Sequence, residues 1–289
     1  MRKILSFDTS GINCLADDPD SEALIAGLAS GYFVRLPFTT VSEIIATSSG
    51  ARRKKLLEVC RRLIREGDCI EPHHEIIRIM VARFEQGLPL DLRSVNLRMA
   101  EAEDEIRRAE VFDDTLATQE RTENRINDKE FVSVYTNAKS AFDRLADAGI
   151  SMPRSVGELV SQLQQGGAFW TLVRNLYERV ASKPADDATI KRFYAECEPF
   201  RVTMIAIIAA QYDRCIRQPS DGRSLKAGRN DTFMAACLPY CDEFVTDDAG
   251  QLACYQEVAA VAGIPVRILS YDEFRDGFTV GGASATSAK

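Results

Sequence analysis

Short apolar runs alternating with helical stretches, at both ends of the chain, constrain the fold most. Lys3-Ile4-Leu5-Ser6-Phe7 reads as a strand ending at Asp8, and Tyr32-Phe33-Val34-Arg35-Leu36 as a second, stopped by Pro37. Cys69-Ile70 reads as a short edge strand. Phe244-Val245 is the core of another strand, ending in Thr246, Asp247 and Asp248, and Val266 to Leu269 is the last. Helical stretches lie between them, at 21–30, 39–47, 51–66, 73–84, 202–217, 251–260 and 271–278. Strands alternating with helices predict a parallel sheet covered on both faces. Ligands of such sheets bind beyond the carboxyl ends of the strands. Asp8 and Asp248 end strands, so both are expected to face that crevice.

The middle of the chain differs. From Gly87-Leu88-Pro89 onward, residues 90–147 carry no strand signal. Val95, Met99, Ala102, Ile106 and Ala109 follow alternating steps of four and three, a helical seam. Asp113 breaks it, Leu116 resumes it, and Phe131, Val134, Ala138, Phe142 and Leu145 offer a second stripe, so a long helical hairpin is expected. Between residues 99 and 130 eleven acids face five bases, which makes the outer face acidic. Ser155 and Glu158 form a capping-box pattern for a further helix. Two more helices fit 169–180 and 187–197, before Pro199. The expected organisation is an α/β unit in two parts, 1–87 and 200–280, with an all-helical insertion at 88–199 and a small, polar, disordered tail at 281–289. If the insertion is a separate unit, its removal leaves the α/β part folded.

Acids recur where chain direction changes. Asn230 and Asp231 are good helix-start residues ahead of the apolar run Phe233 to Leu238. Glu43 sits in the first turns of the segment Thr39-Thr40-Val41-Ser42-Glu43-Ile44-Ile45. Taken singly, Asp8 and Asp231 read as caps, Glu43 as a solvated helix residue, and Thr246-Asp247-Asp248 as a turn. Together they place unpaired carboxylates at the edges of buried elements, where uncompensated charge is costly and a bound cation can hold several of them.

A strand ending in Asp followed by Thr9-Ser10, a T-x-x-S-E-I helix at 39–44, an N-D-x-x-x-A-A helix at 230–236 and a V-T-x-D strand end at 245–248 resemble, in that order, the PIN-domain nucleases. The four motifs cover 1–87 and 200–275. The resemblance implies a three-layer, parallel-sheet α/β fold and a metal-dependent nuclease that hydrolyses phosphodiester bonds, with RNA favoured over DNA. It implies that Asp8, Glu43, Asp231 and Asp248 hold Mg2+ or Mn2+, and that Thr9, Ser10, Asn230 and Thr246 orient the carboxylates or water. The T-x-D spacing selects Asp248, with Asp247 as a weaker or substituting ligand. Hydrolysis of this kind uses two divalent ions roughly 4 Å apart, and such ions prefer oxygen ligands. The insertion of about a hundred residues departs from the compact family pattern. It is open to four roles: gating, partner binding, substrate choice, or merely enlarging the core or a dimer interface.

Two other readings compete. A haloacid-dehalogenase-like phosphatase also has a strand-end Asp, a late G-x-N-D motif like Gly228 to Asp231, and a helical cap. Its nucleophile is followed two residues later by a second Asp, however, and here Ser10 stands there. A non-catalytic PIN-like binding module is the other alternative.

Helix 51–66 carries Arg52, Arg53, Lys54 and Lys55, and the polar loop 218–229 ends at Arg229. These residues form either a solvated face or a track for a phosphate backbone, since such contacts dominate nucleic-acid affinity. The net charge of −7 excludes a generally basic surface, not a local patch. The eight cysteines form no C-x-x-C pair and the only histidines are His73 and His74, so a zinc site or haem attachment is not expected. His73 and His74 read as surface residues. Cysteines inside apolar runs indicate reduced, packed thiols and a cytoplasmic location. No apolar run is long enough to span a bilayer, so no membrane partner is expected. Nucleic acid is the expected partner, beside an inhibitory protein or a second copy of the chain.

Overall fold

The computed structural model describes residues 2–90, 95–107, 114–147, 151–217 and 228–285. The described strands are β1 (Lys3–Phe7), β2 (Tyr32–Pro37), β3 (Asp68–Ile70), β4 (Glu243–Thr246) and β5 (Arg267–Ser270). They pair in parallel in the order β3-β2-β1-β4-β5. In the register Leu5 lies beside Val34 on one side and Glu243 on the other, and Val245 beside Leu269. The chain is therefore an α/β protein with a parallel sheet and a large helical component.

The strands divide their side chains between two apolar layers, as their two-residue period requires. Leu5, Phe7, Val34, Leu36, Cys69, Val245 and Leu269 face one cluster. It is completed by α1 (Thr9–Asp17), α2 (Ser21–Gly31), α3 (Phe38–Ile45), α4 (Gly50–Leu63), α6 (Ala100–Arg107) and α14 (Tyr271–Ala285). The ring of Phe274 meets Phe7 edge-on at 5.4 Å. Ile70, Phe244 and Ile268 face the opposite cluster. That layer contains α5 (His73–Glu85), α11 (Glu198–Cys215) and α13 (Ala249–Ala262). Fully burying one such side chain contributes about 1.5–3 kcal/mol.

The helices α8 (Val156–Gln165), α9 (Ala168–Ala181) and α10 (Asp187–Glu196) share this second cluster: Val156, Phe169, Tyr177 and Phe193 are buried with Phe200, Phe244 and Ile268. The rings of Phe84, Tyr177, Phe193 and Phe200 form an edge-to-face series with centroids 4.9–6.2 Å apart.

Several segments differ from the periodic reading. Val95 to Met99 is not the start of a helix. It lies along the edge of β3, where Glu71 N–H donates to Leu97 O at 3.0 Å and Met99 N–H donates to Cys69 O at 2.8 Å. An edge strand exposes unpaired backbone groups, and this segment satisfies them. In place of a hairpin, α7 is one helix of 34 residues, Asp114–Asp147, that carries both Leu116 and the later apolar stripe. Asp113, where the seam breaks, lies outside the described residues, as does 218–227 of the polar loop. The run after Asp231 is not one helix. α12 (Arg229–Met234) passes into a 3-10 segment, Ala235–Tyr240, which contains Pro239. Proline lacks the donor for a continuing α-helix. Finally, α14 extends through Ala285, so 281–285 are helical where the composition predicts a disordered tail. Residues 286–289 lie outside the described residues. Among the described residues no helix is long and apolar enough to cross a membrane.

Candidate active site at the carboxyl end of the sheet

Asp8 leaves β1 in an extended conformation and caps α1: Gly11 N–H donates to its Oδ1 at 2.7 Å. The close fit depends on glycine at 11, since a Cβ there would stand 2.9 Å from Val245 O. Asp8 is 4% exposed. Ser10 Oγ lies 2.9 and 2.8 Å from its two oxygens, and Thr246 Oγ1, at the end of the adjacent β4, lies 2.7 Å from Oδ2. Burial pushes the Asp8 carboxyl up to about 6. The Gly11, Thr246 and Ser10 hydrogen bonds oppose the rise, and the charge of Asp231 adds to it.

Glu43 projects from α3 and accepts from Thr9 Oγ1 and, at 2.9 Å, from Asn230 Nδ2. Burial raises its carboxyl above the usual range. Asp231 adds to the rise, while Thr9, Asn230 and the positive charge of Arg229 oppose it. Asp231 is not the cap of α12; it lies in the first turn and reaches back to accept from Gly228 N–H at 2.7 Å. Burial and the charge of Asp248 raise it too. Asp248 ends the β4 turn and caps α13, accepting from Gln251 N–H at 2.8 Å. Asp231 is thus the common neighbour: its charge reaches Asp8 and Glu43, and the charge of Asp248 reaches it.

Among the described residues the remaining oxygens, Oδ1 of Asp231 and Oδ2 of Asp248, accept no hydrogen bond. Also among the described residues, no group of three or more His, Cys, Asp and Glu side chains is gathered closely enough to hold a metal ion as they stand. The donor set is nonetheless all oxygen, the chemistry of hard divalent cations. Asp247 is exposed; its carboxylate lies beside Cys14 and helps burial push that thiol up to about 12. Its backbone N–H donates to Ser10 Oγ at 2.7 Å.

The basic residues are mostly engaged. Arg52 binds Asn13 and Asp17, and Lys55 binds Asp17 at 2.8 Å. Arg52 and then Lys55 hold the Asp17 carboxyl well below its usual range. Arg53 is not available to a phosphate. It is 4% exposed and its guanidinium donates to Thr47 O and Asp114, both at 2.8 Å. Lys54 is exposed. Arg229 reaches α7, donating to Asn124 at 3.0 Å and to Asp128 at 3.4 Å.

Sequence reasoning missed three features here. The acidic helix α7 lies against this face: besides the Arg229 contacts, Ser42 Oγ donates to Glu120 at 2.7 Å and Arg121 donates to Ala46 O at 3.2 Å. His73 is half-buried rather than exposed. Its ring stacks on Phe233 at 4.3 Å, two residues from Asp231, and burial holds its imidazole down to about 3. Gln251 and Tyr255 on α13 are buried and hydrogen-bonded into the site. The available signal was their spacing of four, which puts two polar groups on one face of α13. No protein-family model, curated protein or solved structure matches the chain.

Proposed function

We propose that the chain is a metal-dependent nuclease of the PIN-like type, using Mg2+ or Mn2+ to hydrolyse phosphodiester bonds, with RNA favoured over DNA. One observation carries the reading. Asp8, Glu43 and Asp231 come from three separate elements, and the carboxyl of each is raised by burial and by a neighbouring carboxylate, Asp231 acting on Asp8 and Glu43, and Asp248 on Asp231. Carboxylates whose charge raises the proton affinity of their neighbours favour a cation between them. Asp8, Glu43, Asp231 and Asp248 would hold it, and Asp247 is the weaker candidate. The cation would supply an activated water and stabilise the leaving oxygen.

The chain's own residues prepare the carboxylates. Ser10 and Thr246 fix Asp8 from two sides, and Thr9 and Asn230 fix Glu43. Arg229, whose charge reaches Glu43, is a candidate phosphate contact, and the exposed Lys54 is another. The phosphatase reading is disfavoured because Ser10, at the position of that family's second acid, is a hydrogen-bond partner of Asp8. The binding-module reading remains as the outcome in which the acids serve the fold alone. The eight free cysteines accord with a reducing, cytoplasmic compartment.

The test is cleavage of single-stranded RNA and DNA with Mn2+, Mg2+ or chelator, for wild type, Asp8→Asn and Glu43→Gln. Metal-dependent cleavage lost in both variants is expected. Hydrolysis of a small phosphomonoester instead would move the protein to the phosphatases. Inactivity on every substrate would leave the binding module.

A further inference from the structure

A buried hydrogen-bonded chain leads from Asp8 to the start of α12 through two residues of α13. Thr246 Oγ1 lies 2.7 Å from Asp8 Oδ2 and 3.0 Å from Gln251 Oε1. Gln251 Nε2 donates to Tyr255 OH at 3.0 Å, and Tyr255 OH donates to the main-chain oxygen of Asp231 at 2.6 Å. Thr246 and Tyr255 are 0% exposed and Gln251 is 3% exposed, so bulk water does not repair a missing partner.

Counting hydrogens sharpens the picture. The chain has four links and ends in an acceptor at each side, an ionised carboxylate and a carbonyl. Thr246 and Tyr255 supply one hydrogen each, and the Gln251 amide supplies one, toward whichever neighbour its NH2 faces. Three hydrogens serve four links, and reversing the amide does not change the sum. With Asp8 ionised, the Thr246 hydrogen serves Asp8 or Gln251, not both. A cation compensating the Asp8 charge would free that hydrogen for Gln251, and the links from Thr246 to the Asp231 carbonyl would then all be made.

We infer that Gln251 and Tyr255 are positioning residues that couple cation binding at Asp8 to the placement of Asp231; this inference rests on the nuclease reading. Neither side chain is among the acids. α12 is only six residues long, and the Tyr255 bond ties its first turn, from which the Asp231 carboxylate projects, to α13. Because as they stand the acids are not gathered into a ligand set, a device that sets Asp231 relative to Asp8 bears on affinity for the cation. Groups that orient metal ligands typically change affinity about 10–100-fold when removed.

The experiment titrates Mn2+ calorimetrically into full-length wild type, Gln251→Leu, Tyr255→Phe and the double variant Gln251→Leu/Tyr255→Phe, with metal-free melting and RNA cleavage in parallel. The double variant removes both partners of the Gln251–Tyr255 bond together, so that only the Asp231 carbonyl loses a donor, at about 1–3 kcal/mol, and metal-free melting shows that the sample titrated is folded. The expected result is Mn2+ binding weaker by about 10-fold or more, with cleavage largely recovered at saturating Mn2+. Wild-type Mn2+ affinity in the folded variants would overturn the coupling and leave the nuclease reading intact. A wild type that neither binds Mn2+ nor cleaves RNA would overturn both.

Discussion

Replacing Asp8 by Asn should stabilise the metal-free protein, although it removes a buried group with at least three hydrogen-bond partners. The sign follows from linkage. An unfolded Asp titrates near 3.8, while burial raises the folded carboxyl to about 6. The folded state therefore holds the proton more tightly. Its contribution to stability is fully present below pH 3.8, declines as pH rises, and is lost above about 6. At roughly 1.4 kcal/mol per pH unit the ionised group costs about 3 kcal/mol at neutral pH, with no discount for solvent because the side chain is buried. Asn keeps the cap, since its oxygen still accepts from Gly11 and Asn is among the best capping residues. Its NH2 would face Thr246 and supply the hydrogen that the chain through Gln251 and Tyr255 lacks.

The assay is urea unfolding of both proteins in chelator from pH 4.5 to 8. At pH 4.5 the variant should lead by only about 1 kcal/mol. The advantage of the variant should grow to about 2–3 kcal/mol by neutral pH and then level off. Mn2+ at about 1,000 times its Kd should reverse the order, because it adds about 4.1 kcal/mol only to the protein that binds it. A variant less stable than wild type throughout, together with no Mn2+ effect on wild type, would mean that Asp8 is ionised and fully compensated by its hydrogen bonds. The electrostatic argument would then fail.

Two further outcomes are expected. Arg53→Gln should cost about 1–3 kcal/mol, because it strips Thr47 O and Asp114 of their donor, whereas Lys54→Gln should stay within about 0.5 kcal/mol; if RNA binds, only Lys54→Gln should lower the salt slope, by roughly one, and denaturant melts with binding titrations at several salt concentrations read both. Phe193→Ala in α10 should cost about 3–5 kcal/mol in a single cooperative transition, because its ring packs on Phe84, Tyr177 and Phe200. Two separate transitions would show that the helices of the insertion fold independently, and excising 88–199 would then leave a soluble α/β part.

The strand positions were legible because each strand is a short run with an apolar centre that ends at or beside a polar residue or proline. The order β3-β2-β1-β4-β5 was not, since pairing between β1 and β4 joins residues about 240 apart and depends on how the intervening helices pack. The extended edge at Val95 to Met99 was hidden for a similar reason. Its apolar spacing fits a helix, and only the open edge of β3 makes the extended form better satisfied. The burial of Arg53 had a readable signal: it lies three, four and seven residues before Leu56, Leu57 and Cys60, on their face of α4, yet a run of four cations reads as one solvated patch.

The site acids were legible for a reason that also blurs their meaning. A carboxylate at a strand end is where a parallel α/β sheet presents ligands, and it is also where the next helix needs a cap. Asp8 and Asp248 fill both positions: each accepts from the N–H three residues on. Asp231 reaches back to Gly228 in the same way. Capping alone does not call for the charges to meet, because neutral Asn, Ser and Thr cap comparably well. Asp8 is buried, Glu43 and Asp231 are half-buried, and the charge of Asp231 raises the proton affinity of the other two, a cost that capping does not explain. What distinguishes a cap from a member of the cluster is therefore the sign of the stability change on neutralising it: an ionised cap loses stability, and an acid crowded by like charge gains it. Asp247, exposed and beside Cys14, lacks that crowding from its own burial, so Asp247→Asn should leave metal-free stability within about 0.5 kcal/mol of wild type, while Asp231→Asn should raise it.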